Sequence, residues 1–286
     1  MRWEGGRKSD NVEDYRGSGG NRFGGGGLKL GVGGTLIALV AAYFFGIDPR
    51  VILGLTQSGS VGQEEQAPQV GAPSDRAGQF ASVVLADTED TWTAIFQANG
   101  RQYIPPKLDL FTSQINTGCG FADSGVGPFY CPADSKVYLD PAFFDELSTR
   151  FQAPGDFANA YVIAHEVGHH VQNLLGTERK VRAAQERASE VERNQLQVRM
   201  ELQADCFAGV WAHNANRARQ IIEQGDVEAA LNAASAVGDD TIQRRTQGHV
   251  VPDSFTHGSA KQRMTWFQRG LDSGSVANCD TFASAN

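Results

Sequence analysis

One stretch constrains this chain more than any other: Tyr161-Val162-Ile163-Ala164-His165-Glu166-Val167-Gly168-His169-His170-Val171-Gln172, which contains H-E-x-x-H. Apolar Phe157, Tyr161, Val162, Ala164, Val167 and Val171 recur at helical spacing, Asp156 stands where a cap belongs, and Gly176 suits a helix end. The segment therefore predicts a helix. Residues four apart lie one above the other on a helix, so the imidazoles of His165 and His169 can hold one metal ion between them. Glu166 points to the side, where it can reach a metal-bound water without being a ligand. Two ligands and a general base within one turn is the metallopeptidase arrangement.

A catalytic zinc usually takes three protein ligands and keeps a fourth position for water. The metzincin extension needs Gly at 172 and His at 175; the chain has Gln172 and Leu175, which excludes it. Glu201-Leu202-Gln203-Ala204-Asp205 supplies the other solution, with Glu201 and Asp205 on one face of a later helix. Glu201 is the expected third ligand. Asp205 is expected to accept the free ring N–H of a ligand histidine and fix its tautomer. Leu202, Ala204, Phe207 and Ala208 make this an apolar helix, where an unpaired carboxylate is costly.

The chain has 286 residues, and its net charge of −8 argues against nucleic acid as the main partner. Residues 1–29 are polar and Gly-rich and read as a disordered cytoplasmic leader, because they cannot bury enough apolar surface to fold alone. Residues 30–47 carry no charged side chain and are bounded by Lys29 and Asp48. They read as one uncleaved transmembrane helix. Arg16, Arg22 and Lys29 precede it and place the N-terminus in the cytoplasm, with the rest of the chain outside. Residues 48–78 read as a flexible linker. Residues 79–286 then form one α+β, mainly α domain with a small sheet.

Within that domain, Phe80 to Phe96 give a helical stripe ending at Asn99-Gly100, and residues 108–111 and 136–140 read as strands. The second strand lies just before the metal helix and is a candidate edge for pairing an extended peptide. Helices follow over 178–211 (one continuous element), 226–245, and from Ser259, where Met264, Trp266, Phe267 and Leu271 turn inward. Cys119 and Cys131 flank a small loop and form a natural bridge if the domain lies outside the cytoplasm. Cys206–Cys279 is a plausible second bridge, but sequence leaves connectivity open.

A hydrolytic site also needs a donor for the oxyanion of a tetrahedral intermediate. His257, in the loop Ser254-Phe255-Thr256-His257-Gly258-Ser259, is the candidate; Tyr130 and Tyr161 are lesser ones. His170, His213 and His249 read as structural or solvated.

With these residues in place, the chain resembles the bacterial neutral zinc metallopeptidase family over nearly its whole length. The resemblance rests on Met1-Arg2-Trp3, Ser9-Asp10-Asn11-Val12-Glu13-Asp14, Gly127-Pro128-Phe129-Tyr130-Cys131-Pro132, Val137-Tyr138-Leu139-Asp140, the H-E-x-x-H stretch, Glu201-Leu202-Gln203-Ala204-Asp205-Cys206 and Phe255-Thr256-His257-Gly258. It implies a zincin-like domain behind one membrane span, with a gluzincin-like two-helix zinc site on His165, His169 and Glu201. The expected activity is hydrolysis of peptide bonds in a peptide or protein substrate. Two rivals are a non-catalytic peptide-binding module of the same fold and a zinc amidase acting on a cell-wall crosslink.

Overall fold

A computed structural model of the chain describes residues 1–16, 69–70 and 73–283, which belong to one compact unit. The span expected at 30–47 and most of the expected linker lie outside the described residues. Among the described residues, no helix is long and apolar enough to cross a membrane.

The unit is mainly helical and carries two small sheets. The larger holds five strands in the order β2-β1-β3-β7-β6, from β1 (Val12–Asp14), β2 (Gln69–Val70), β3 (Lys107–Leu110), β6 (Phe129–Cys131) and β7 (Lys136–Leu139). β3 pairs parallel with both β1 and β7, while β2 and β6 run antiparallel to their neighbours. β4 (Gln114–Thr117) and β5 (Gly120–Asp123) form a separate hairpin. Alternation along the strands sends Val12, Leu108, Leu110, Val137 and Leu139 into the main core. Glu13, Asp109 and Tyr138 share the opposite face, by register.

The helices are α1 (Arg76–Ala98), α2 (Ala142–Thr149), α3 (Asp156–Leu175), α4 (Thr177–Gln185), α5 (Glu190–Arg219), α6 (Asp226–Ala236), α7 (Asp239–Gln247) and α8 (Ala260–Ser273). α5 is the spine. It packs on α3 along one side and on α8 along another. Glycines permit both approaches. A Cβ on Gly209 of α5 would stand 2.1 Å from the Phe267 carbonyl oxygen, and one on Gly168 of α3 would stand 2.9 Å from that of Ala204. Gly168 directly precedes His169, so the close contact lies within the H-E-x-x-H turn.

Four expectations change. Residues 1–16 are folded rather than a disordered leader: β1 lies inside the sheet, Trp3 packs edge-on against Phe80, and the Trp3 indole donates to Asp156. The segment cannot build a core alone, but α1 and β3 supply the apolar partners that it lacks. The helix expected over 178–211 is broken, because Ser189 and Glu192 form a capping box that starts α5 afresh. The one expected over 226–245 breaks at Gly238, where a Cβ would meet the Ala260 nitrogen at 2.4 Å. Finally, β7 is internal, and the edge nearest the metal helix is β6. Both expected cysteine pairs are bonded, Cys119–Cys131 and Cys206–Cys279.

Candidate metal centre

α3 starts after Gly155 without a side-chain cap; Asp156, expected in that role, instead accepts from Trp3 and Arg76. Gly176 ends the helix in the left-handed conformation, as its sequence position suggests. Between these ends, α3 presents His165 and His169 toward α5, which presents Glu201. The ligand atoms of His165, His169 and Glu201 all lie within 4.8 Å of one another. The Glu201 Oε2 atom stands 3.2 Å from His165 Nε2 and 3.5 Å from His169 Nε2. Its other oxygen accepts from Gln197 at 2.9 Å, which turns Oε2 toward the histidines.

Each imidazole is held from behind. His165 Nδ1 donates to Asp205 Oδ1 at 2.8 Å, leaving Nε2 for a metal. His169 Nδ1 lies 2.9 Å from Gln172 Oε1 and donates to it. Two imidazoles and one carboxylate, with both tautomers fixed for Nε2 ligation, are a donor set that fits zinc.

Asp205 is fully buried and heavily bonded. It also accepts from the Tyr161 hydroxyl at 2.5 Å and from Arg263 Nε and Nη2, both at 2.9 Å. Burial raises its pKa, but Arg263 and His165 outweigh burial and hold it at about 2. Burial likewise lowers the His165 pKa, and Asp205 and Glu201 reverse that to about 10. Glu201 is pulled well below the ordinary range by the two histidines, against burial. Protons therefore compete with metal mainly at the imidazoles. Arg263 was not anticipated from sequence. Its signal was a charge four residues before Phe267, on the apolar stripe of α8.

Glu166 is buried, with 7% of its surface exposed, and has no hydrogen-bond partner among the described residues. Burial raises its pKa, opposed by His165 and His169. It lines a cleft of about 550 Å³ together with all three ligand residues, Tyr130 and His257.

The oxyanion candidates separate on their hydrogen bonds. Tyr161 already donates to Asp205. Tyr130 is committed too: His170 Nε2 donates to the Ile104 carbonyl, so Nδ1 accepts from the Tyr130 hydroxyl, which in turn accepts from Asn173. These bonds clamp strand β6 to α3, next to the metal ligands. His257 remains available. Asp239 accepts the backbone N–H groups of Thr256, His257 and Gly258 at 2.6–2.9 Å and shapes the loop. Its other oxygen is 3.3 Å from His257 Nδ1. That bond raises the His257 pKa. Of the remaining histidines, His213 bonds the Leu271 carbonyl and His249 is exposed.

A family model described as "Putative neutral zinc metallopeptidase" matches residues 1–282. The chain belongs to this family. It is 51% identical over 290 residues to the uncharacterised protein YpfJ of Escherichia coli, covering 100% of both chains. An uncharacterised protein of Mycobacterium tuberculosis is 41% identical over 260 residues, 86% of each chain. No solved structure matches the chain. The family's name implies zinc, and among the described residues the His165, His169 and Glu201 cluster is a group that could hold it.

Proposed function

We propose that this chain is a zinc-dependent peptidase that cleaves extended peptides by attack of water on a backbone carbonyl. The observation that carries the reading is the convergence of His165, His169 and Glu201 on one point in an open cleft, with Glu166 beside them and unbonded. His165 and His169 through Nε2, and Glu201 through Oε2, would hold the ion. Zinc bound there supplies a polarised scissile carbonyl and an acidified water.

The protein's own groups do the rest. Glu166 takes a proton from the attacking water and passes it to the leaving amine; its raised pKa suits both transfers. His257, whose pKa Asp239 raises, donates toward the carbonyl oxygen as negative charge grows there. The β6 edge, held by His170 and Asn173, offers its free side to the backbone of an extended peptide. The two disulfides support an oxidising compartment as the place of work.

The test compares wild type with Glu166→Gln at equal zinc content, using mass spectrometry of products from a mixed peptide library. The variant is expected to keep its zinc and lose about 10²–10⁴-fold in turnover. A zinc-loaded wild type that cleaves nothing, or a variant that cleaves equally well, overturns the reading and favours a binding module.

A further inference from the structure

Behind His169 runs a chain of amides that peptide hydrolysis does not explain. The His169 Nδ1 hydrogen goes to Gln172 Oε1. The Gln172 amide nitrogen donates to Gln203 Oε1 at 3.1 Å and to the Met200 carbonyl at 2.7 Å. The Gln203 amide nitrogen then donates to the main-chain carbonyl of Cys279 at 2.9 Å. Cys279 is itself bonded to Cys206, three residues beyond Gln203 on α5. Gln172 and Cys279 are fully buried, and Gln203 is 8% exposed.

The direction of this chain is forced. The Met200 carbonyl can only accept, so it meets the Gln172 amide nitrogen; Oε1 then faces His169, whose Nδ1 carries the hydrogen. The Gln172 nitrogen also meets Gln203 Oε1, which leaves the Gln203 nitrogen for the Cys279 carbonyl. Flipping either amide would set two N–H groups against each other or two oxygens. Apolar side chains would fill the same space between α3 and α5 without such constraints, so the polarity has a use beyond packing. His165 is held differently, by the Asp205 carboxylate. The His169 branch ends on the main-chain carbonyl of a disulfide-bonded residue.

We propose that Gln172 and Gln203 are positioning residues that couple the zinc affinity of the His165, His169 and Glu201 site to the Cys206–Cys279 crosslink. The crosslink fixes the Cys279 carbonyl, the carbonyl fixes the two amides, and the amides hold His169 in its ligating orientation. Thr281 also tethers this segment, through the Arg199 carbonyl, so loss of the crosslink loosens the carbonyl without releasing it. The inference rests on the metal centre but not on peptide cleavage. It is read from zinc binding alone.

The experiment measures zinc dissociation constants by competition with a chromophoric chelator. The four proteins are wild type, Gln203→Met, the Cys206→Ser/Cys279→Ser pair, and all three changes together. Gln203→Met should weaken zinc binding about tenfold, within the range for outer-sphere partners of ligand histidines. The serine pair should weaken it less, about threefold to tenfold, and adding Gln203→Met to that pair should add less than its full single effect. Cys206 adjoins Asp205, so a loss transmitted through His165 instead would leave the effects multiplying independently. That result overturns the proposal. Unchanged affinity in Gln203→Met also overturns it, whether or not the serine pair folds, because this variant leaves the crosslink intact.

Discussion

Arg263 allows a sharp test of the ion cluster beneath the metal centre. Its side chain is 5% exposed and its partner Asp205 is 0% exposed. Arg263→Met removes the donors to both Asp205 oxygens and leaves the carboxylate with only Tyr161 and His165. Stranding one member of a buried ion pair costs about 3–5 kcal/mol. For a unit of this size, that corresponds to a fall in Tm of roughly 6–20 °C. The assay is urea unfolding of zinc-stripped protein, followed by tryptophan fluorescence, because bound zinc would add its own stabilisation. Asp205→Asn in the same background removes the stranded charge, so the double variant should be more stable than the sum of the two single losses predicts. The pH dependence has a definite sign. In wild type, the depressed Asp205 pKa gives stability that is present above the ordinary carboxylate range and lost as pH falls toward 2. Without Arg263 that pKa rises, so the variant's deficit should narrow in acid. A loss under 1 kcal/mol, or strict additivity in the double variant, would refute the assignment of Arg263 as the main counter-charge.

Asp239→Asn should move the alkaline limb of kcat/KM to lower pH, because Asp239 is what raises the His257 pKa; a limb that stays in place removes His257 from the chemistry. Tyr130→Phe strips the bonds that join β6 to His170 and Asn173. It should raise KM about tenfold for peptides long enough to lie along the strand, an amount equal to about 1.4 kcal/mol of lost positioning, with zinc content unchanged. Equal KM values for long peptides in both proteins would argue against strand pairing. Trp3→Ala should cost about 3–5 kcal/mol, the usual range for a buried tryptophan; an unshifted urea midpoint would mean that the N-terminal segment does not stabilise the body.

The centre was legible because its chemistry is local. His165, Glu166 and His169 declare themselves within one turn, and Glu201 and Asp205 stand on a helix too apolar to carry idle carboxylates. The supports were less visible. Gln172 entered the sequence reading only as the wrong residue for a metzincin, and its bond to His169 depends on the rotamer of a long side chain. Asp239 falls inside the helix expected over 226–245, and its grip on three backbone N–H groups 17–19 residues later is purely tertiary. β1 was illegible for a related reason. Val12-Glu13-Asp14 is too short and too polar to announce a strand, and its partners lie at Leu108–Leu110 and Gln69–Val70. Composition measures what a segment can bury alone. Trp3 and Val12 bury themselves in surfaces made elsewhere.

The placement of β1 also sets an order of events. The ribosome makes this strand first, yet its parallel partner follows nearly a hundred residues later, about 5–20 s at ordinary elongation rates. Until then, Val12 lacks the strand that lies beside it. β1 therefore takes its place between β2 and β3 only after β3 has emerged. Such distant pairing is slow to form. Through that interval the β1 segment stays open to whatever else is nearby.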